Sequence, residues 1–291
     1  MMDQASDYLI VRKEALAKTV SRFTIRAPRV AAKARAGQFV MLRAREDGER
    51  IPVTLADWDA KAGTVTIIVQ AVGKTTSLIN ALPQGGRFLT VAGPLGIPVD
   101  ARRYGTVACV GGGVGIAEVY PIAKALQAEG NRVLCVLGAR TQELLILEQE
   151  MRALCPETFI VTDDGSYGEK GLVTDALARV HERGERLDAV FVIGPIPMMR
   201  AVAEQTRPWG TPTFASLNPV MVDATGMCGG CRVEVGGRSK FACVDGPLFD
   251  AHQVNFMLLQ LRAAAYRGQE KDSFEQWKKE SGHACRLNDP S

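Results

Sequence analysis

The sequence predicts a chain of two folded bodies: an antiparallel β-barrel or sandwich over residues 1–100, then an α/β body with a parallel sheet. Three observations carry this. Short β-rich runs separated by glycine turns fill the first hundred residues, apolar strands alternate with amphipathic helices from residue 105, and a cysteine-bearing loop with a short hairpin follows the last of those strands. At 291 residues the chain is long enough for two cores and a small appendix.

In the first body the strands read as Thr19–Arg26, Gln38–Arg43, Ile51–Ala56, Thr64–Val72 and Arg87–Ala92, punctuated by Gly37, Gly48, Gly63 and Gly86. Such even spacing suits antiparallel pairing. One short helix fits Thr75–Leu82. In the second body the strands are Thr106–Gly111, Arg132–Gly138, Thr158–Thr162, Ala189–Gly194 and Pro212–Leu217, with helices expected at Ile116–Glu129 and Thr141–Leu154. Strands apolar along their whole length belong to a parallel sheet covered on both faces, with the ligand site at their carboxyl ends.

A glycine-rich turn stands at that edge: Gly111, Gly112, Gly113 and Gly115 follow the first strand. Free amides and a helix dipole there favour a diphosphate, and glycine permits its close approach. The strict GxGxxG pattern fails, because Ile116 takes the third glycine's place. No acidic residue closes the second strand; Gly138-Ala139-Arg140 stands there instead.

After the last strand come Asp223, Cys228, Cys231 and Cys243. The two-residue spacing of Cys228 and Cys231 lets one loop present two thiolates to a metal centre. Arg232–Ala242 reads as a hairpin turning at Gly236-Gly237, which returns Cys243 to them. Plant-type iron–sulfur spacing places a further ligand five positions before the CxxC pair, and Asp223 holds that position. Structural zinc would normally show a second CxxC or paired histidines. A redox disulfide would open a helix beside a βαβ unit. The iron–sulfur reading is favoured, with zinc as its rival.

Net charge is only +3 with acids and bases interspersed, so nothing points to nucleic acid or a membrane surface. No apolar run reaches the length of a membrane span. The segment Met1–Tyr8 lacks a basic, apolar leader, and the odd cysteine count suits a reducing cytoplasm. Cys109, Cys135, Cys155 and Cys285 read as core thiols or incidental chemistry. His181, His252 and His283 lie in polar sequence and are expected to face solvent, so no side-chain acid or base is assigned to catalysis.

The barrel, the GGGxG turn and Gly194-Pro195-Ile196-Pro197-Met198-Met199 together resemble the ferredoxin–NADP reductase superfamily over nearly the whole chain. The cysteine loop is similar to that of one branch. It contains the dihydroorotate dehydrogenase electron-transfer subunit and the small subunits of sulfide dehydrogenase and NADH-dependent reduced ferredoxin:NADP oxidoreductase. Gly226–Val233 and Phe241–Pro247 are most similar to the last of these, in which an aspartate takes the place of the orotate branch's fourth cysteine.

The resemblance implies an FAD-binding barrel (1–100), an NAD(H)-binding α/β domain (101–218), a 2Fe–2S lobe (219–260) and a C-terminal tail (261–291). Arg50, Pro52, Val53 and Thr54 would meet the flavin, although Arg50 is displaced by one residue from the family's Arg-x-Tyr-Ser/Thr pattern and the tyrosine is absent. Gly73, Lys74, Thr75 and Thr76 would form a second phosphate loop; an ordinary N-capped helix is the alternative. Gly111, Gly112, Gly113 and Gly115 would hold the pyridine nucleotide's diphosphate, with Gly194 and Pro195 near its nicotinamide. Arg140 is the one base near a 2′-phosphate position, and Glu143 and Glu148 follow it, so NAD(H) is preferred over NADP(H). Asp223, Cys228, Cys231 and Cys243 would ligate the cluster.

The expected function is to pass electrons between NAD(H), FAD and the cluster to a larger flavin/iron–sulfur oxidoreductase subunit, with ferredoxin reached through that partner. The alternatives are a dihydroorotate dehydrogenase electron-transfer subunit, a stand-alone ferredoxin reductase, or a zinc-stabilised partner-binding module. Residues 252–280 should be largely helical, with the apolar part on the cluster lobe.

Overall fold

A computed structural model describes residues 8–281. The first body is a six-stranded antiparallel sheet made of β1 (Ile10–Ala17), β2 (Val20–Arg26), β3 (Phe39–Arg43), β4 (Arg50–Asp59), β5 (Thr64–Gln70) and β6 (Thr90–Leu95). Their order is β1-β2-β5-β4-β3-β6, and a bridge from Leu9 to Arg87 joins the two ends into a barrel. Inward positions alternate along the strands. Phe23, Leu42, Leu55 and Ile67 are fully buried in a core of their own, each contributing about 1.5–3 kcal/mol relative to exposure. Two short helices, α1 (Pro28–Ala31) and α2 (Lys74–Asn80), cover the barrel.

β1 is the strand that sequence patterning does not announce. Its Lys13-Glu14-Ala15-Leu16 composition favours helix, but pairing with β2 along almost its full length overrides propensity.

The second body comprises β7 (Thr106–Gly112), α3 (Gly115–Ala128), β8 (Arg132–Ala139), α4 (Glu148–Leu154), β9 (Thr158–Thr162), β10 (Glu169–Lys170), α5 (Val173–Glu182), β11 (Ala189–Ile193), α6 (Ile196–Thr206) and β12 (Thr213–Ser216). The sheet order is β10-β9-β8-β7-β11-β12-β15, parallel throughout except for β15 (Leu248–Asp250), which pairs antiparallel with β12. The helix expected over Thr141–Leu154 is shorter than patterning suggests. A 3-10 turn at Gln142–Leu144 gives way to extended backbone, and α4 starts only after Leu147, whose φ is +57°. Ile146 and Leu147 are both buried, and the chain unwinds to bring them into the core.

Between β12 and β15 the chain makes the cysteine loop, the hairpin β13 (Arg232–Val235) and β14 (Arg238–Phe241), and the single turn α7 (Ala242–Asp245). The lobe is thus inserted into the nucleotide sheet, which β15 completes only after it. α8 (Phe256–Ala263) and α9 (Arg267–Ser281) follow. Phe256 and Leu259 of α8 are buried in the same core as Val233, Cys231 and Cys243, as expected of the tail's apolar part. α9 is mostly exposed and touches α2 on the barrel.

His252 departs from its expected solvent-facing place: it is half-buried, with Nε2 3.0 Å from the Thr206 hydroxyl of α6. His181 stacks on Trp209, while His283 and Cys285 lie outside the described residues. Among the described residues, no helix is long and apolar enough to cross a membrane.

Candidate functional site

Two cavities open where the barrel meets the nucleotide sheet. The larger, about 600 Å³, lies at the carboxyl edge of the parallel strands. Gly112, Gly113, Gly115, Arg140, Gly194 and Pro195 all line it, so the structure gathers most of the residues expected for a dinucleotide. Gly111 lies behind them, packed on Ile116 and Val119. Two glycines show why the turn needs its composition. A Cβ on Gly115 would lie 2.3 Å from the Ile193 carbonyl oxygen, so the helix could not start so close to β11. Gly113 has φ +57° and nothing within 4 Å of its Cβ position, leaving a cradle open to a ligand. Charged side chains on this cavity are Arg140, Asp163 and Glu118.

The second cavity, about 420 Å³, lies on the barrel side. Pro52, Val53 and Thr54 of β4 line it with Thr76, Asn218 and Met221. Arg50 is exposed at the start of β4 and stands opposite Arg43, away from the lining. Gly73, Lys74 and Thr75 also lie off the lining. Thr75 donates to Glu49, and the Thr76 hydroxyl accepts from the amides of Val72 and Gly73 at 3.0 Å, so this segment behaves as a capped helix start.

Gln70, Val114, Glu118 and Asn218 line both cavities. Sequence patterning missed Glu118. An acid in a helix's first turn is ordinarily a response to the helix dipole, and only the fold brings it to the barrel. The Thr54 hydroxyl donates to Glu118 Oε2 at 2.9 Å. Burial pushes this carboxyl up to about 7, and the Thr54 bond pulls the other way.

The cysteine loop starts from the same place: Asn218, Pro219 and Met221 on the second cavity lead within two residues to Asp223. The expected hairpin is present, with Val235 paired to Arg238 and φ positive at Gly236 and Gly237, as a two-residue hairpin turn requires. It returns Cys243 to Cys231, sulfur to sulfur 3.2 Å. Both are buried, and the Cys243 thiol is pushed up to about 12 by burial and by Cys231 beside it, while the Gly226 amide pulls it down.

Asp223 and Cys228 form a second pair at the exposed mouth. Asp223 Oδ2 accepts from the Cys228 amide at 3.1 Å and Oδ1 from the Thr225 amide at 2.9 Å. These bonds, the Thr225 amide first, hold the Asp223 carboxyl below its ordinary range. The Gly230 amide lies 3.4 Å from the Cys228 sulfur. Arg262 of α8 donates to the Gly230 carbonyl, clamping the loop from behind. Among the described residues, no three His, Cys, Asp or Glu side chains are grouped as for a single metal ion. The donors stand as two pairs.

Residues 218–255 match the iron–sulfur cluster binding domain of dihydroorotate dehydrogenase B, and residues 109–204 match the oxidoreductase NAD-binding domain. The chain is 47% identical over 275 residues to the dihydroorotate dehydrogenase B (NAD(+)) electron transfer subunit homolog of Thermotoga maritima, covering 94% of this chain and 97% of that one. It belongs to the dihydroorotate dehydrogenase B electron-transfer subunit family. A solved structure of NADH-dependent reduced ferredoxin–NADP oxidoreductase, described for flavin-based electron bifurcation, superposes on this family member with a TM-score of 0.89. The identity is 45%, over 95% of this chain and 99% of the other. The ferredoxin reductase of carbazole 1,9a-dioxygenase, at 21% identity and a TM-score of 0.59 over 70% of this chain and 64% of its own, shares the fold. Barrel, parallel sheet and C-terminal cluster region therefore form a ferredoxin-reductase-like fold.

Proposed function

We infer that this chain carries electrons between NADH and a larger flavin/iron–sulfur partner subunit, by way of FAD in the barrel and a 2Fe–2S cluster in the C-terminal lobe. One observation supports this above others. Asn218 borders both cavities and opens the loop that holds Asp223, so the three cofactor positions follow one another along a single stretch of chain. A bound flavin exchanges electrons in pairs with nicotinamide and singly with an iron–sulfur cluster.

The residues present fit these groups. The Gly113 cradle and the amides opening α3 suit a diphosphate, and Pro52, Val53 and Thr54 offer a shallow apolar floor with one hydroxyl to a flavin ring. Two donor pairs, Cys231 with Cys243 and Asp223 with Cys228, suit two irons better than one tetrahedral zinc, which needs four donors around one point. The raised Cys243 thiol means that loading the metal expels a proton there.

The relative at 45% identity belongs to an NADH-dependent ferredoxin–NADP oxidoreductase, and Asp223 rather than cysteine at the fourth position favours that kind of complex over an orotate-linked one. The test is co-purification of the untagged partner with tagged chain, followed by NADH-dependent reduction of ferredoxin, of NADP+ and of orotate by the complex. Orotate as the sole acceptor would place the chain in the orotate branch, and a colourless, zinc-loaded chain would remove it from electron transfer.

A further inference from the structure

Among the described residues Glu118 is the one carboxyl on the wall shared by the two cavities, and the helix dipole that favours an acid in the first turn of α3 does not account for its bond across to β4. It projects from the first turn of α3 toward β4 rather than pairing along the helix, and its recorded partner is Thr54, 64 residues earlier in another domain. Because the Thr54 hydroxyl gives its only proton to Glu118, the lone pairs of that oxygen are left to accept a proton from whatever occupies the barrel-side cavity.

Resting on the reading of flavin and NADH in these cavities, we propose that Glu118 takes up, through the Thr54 hydroxyl, the proton left behind when a hydride's electrons leave for the cluster. The balance leaves one proton to be placed. A hydride is one proton with two electrons, so NADH and two oxidised one-electron acceptors yield NAD+, two reduced acceptors and one proton. The electrons go out singly along the Asn218–Cys231 segment. The proton remains where both nucleotides shut out water. Thr54 Oγ1 accepts it while passing its own proton to Glu118 Oε2, and the protonated carboxyl then discharges toward the mouth of the larger cavity. In the opposite direction of electron flow Glu118 supplies the same proton.

The surroundings leave Glu118 free to do this. Arg140 and Asp163 line the same large cavity beyond the ends of β8 and β9. Asp57 of β4 and Lys124 of α3 pair with each other at 3.0 Å, and Arg22 of β2 pairs with Glu150 of α4. On the cavity walls β5 contributes Gln70, α6 contributes Pro197 and Met198, and the segment after β12 contributes Asn218, none of them ionisable. Burial and the Thr54 hydroxyl are the influences on the carboxyl, and the value near 7 is the one a proton carrier needs at neutral pH.

The experiment uses full-length, FAD-loaded protein as wild type, Glu118→Gln and Glu118→Asp. Flavin content comes first. Flavin absent from all three would overturn the flavin reading together with the proposal. Flavin lost from Glu118→Gln alone would make the residue a prop of the pocket and overturn the proton role only. With flavin retained, NADH-reduced protein is reoxidised by ferricyanide across neutral pH, and the redox-difference infrared spectrum is recorded in parallel. The proposal expects wild-type reoxidation to rise through an inflection near pH 7. It expects Glu118→Gln to be slowed about 10²-fold without that inflection, and Glu118→Asp to recover part of the rate. A protonated-carboxyl band should appear transiently during reoxidation of wild type, decay as the proton is discharged, and be missing from Glu118→Gln. A Glu118→Gln protein that keeps the wild-type pH profile and infrared band would overturn the assignment.

Discussion

Cys231 and Cys243 bring their sulfurs within 3.2 Å although they are 12 residues apart, because the hairpin between them turns in only two glycines. Their neighbours fix the pair: the Ala242 amide donates to the Cys231 carbonyl at 3.1 Å. Anaerobically purified protein should therefore hold about two irons and two acid-labile sulfides per chain. Cys231→Ser and Cys243→Ser should each abolish the visible cluster absorption while leaving the flavin bands. One zinc and no sulfide in the wild type would refute this.

Asp223 has two duties, capping the Thr225 and Cys228 amides and, on the proposal above, ligating the cluster. Replacement separates them. Asp223→Asn keeps one acceptor oxygen, enough for one of the two amides, and removes the anionic donor, so the loop should loosen at the other amide while the paramagnetic resonance g-values and reduction potential move. Asp223→Cys should retain a cluster with altered g-values, and Asp223→Ala should lose it. If Asp223→Ala keeps a full cluster at unchanged potential, the fourth ligand lies elsewhere.

Cofactor choice rests on Arg140, the one basic side chain lining the larger cavity, where it is joined by two acids, Asp163 and Glu118. A 2′-phosphate would gain one guanidinium there, and Asp163 on the same cavity offsets that charge. Stopped-flow reduction of the flavin should be at least about tenfold faster with NADH than with NADPH at matched subsaturating concentration, a difference of about 1.4 kcal/mol. Equal rates would mean that bases from beyond the cavity complete an NADP site.

The raised carboxyl of Glu118 also makes a stability prediction for the cofactor-free chain. Its folded value of about 7 exceeds the ordinary 4.5, so the fold favours the protonated form. Below pH 4.5 this group costs nothing; the cost grows as pH rises from 4.5 to 7 and is complete above 7. Glu118→Gln should accordingly be more stable than wild type above neutrality, by roughly 1–3 kcal/mol, and indistinguishable from it in acid. Urea unfolding at two pH values measures the difference, and an equal gain at both would point to packing instead of charge.

Truncation after Gly268 removes α9 but leaves α8, whose Phe256, Leu259 and Arg262 secure the cysteine loop. Iron content should be unchanged, and assembly with the partner subunit should weaken. Unaltered assembly would mean that α9 does no more than lie against the barrel.

What could be read from the sequence and what could not divide along physical lines. Five strands of each body and the returning hairpin are legible, because alternation, continuous apolarity and a Gly-Gly turn are local signals, whereas the short β10 and β15 carry too few residues to show either pattern. β1 was hidden because its composition favours helix and only its partner β2 decides its form. α4 is shorter than its pattern because Ile146 and Leu147 continue the apolar rhythm while leaving the helix for the core. In the site, the dinucleotide glycines were evident from turn chemistry. The second phosphate loop looked freer than it is, since Thr76 answers its own helix's amides. Glu118, Gln70 and Asn218 gain their positions from contacts between distant segments, which no spacing rule encodes.

β15 closes the edge of the nucleotide sheet through Phe214–Asp250, Ala215–Phe249 and Ser216–Leu248, and it reaches that edge only after the chain has passed through the cysteine lobe. Both ends of the cysteine lobe are thereby fixed by adjacent strands of one sheet, β12 before it and β15 after it. The lobe is a loop closed at its base and not a free appendix, so less chain entropy is lost when it is ordered.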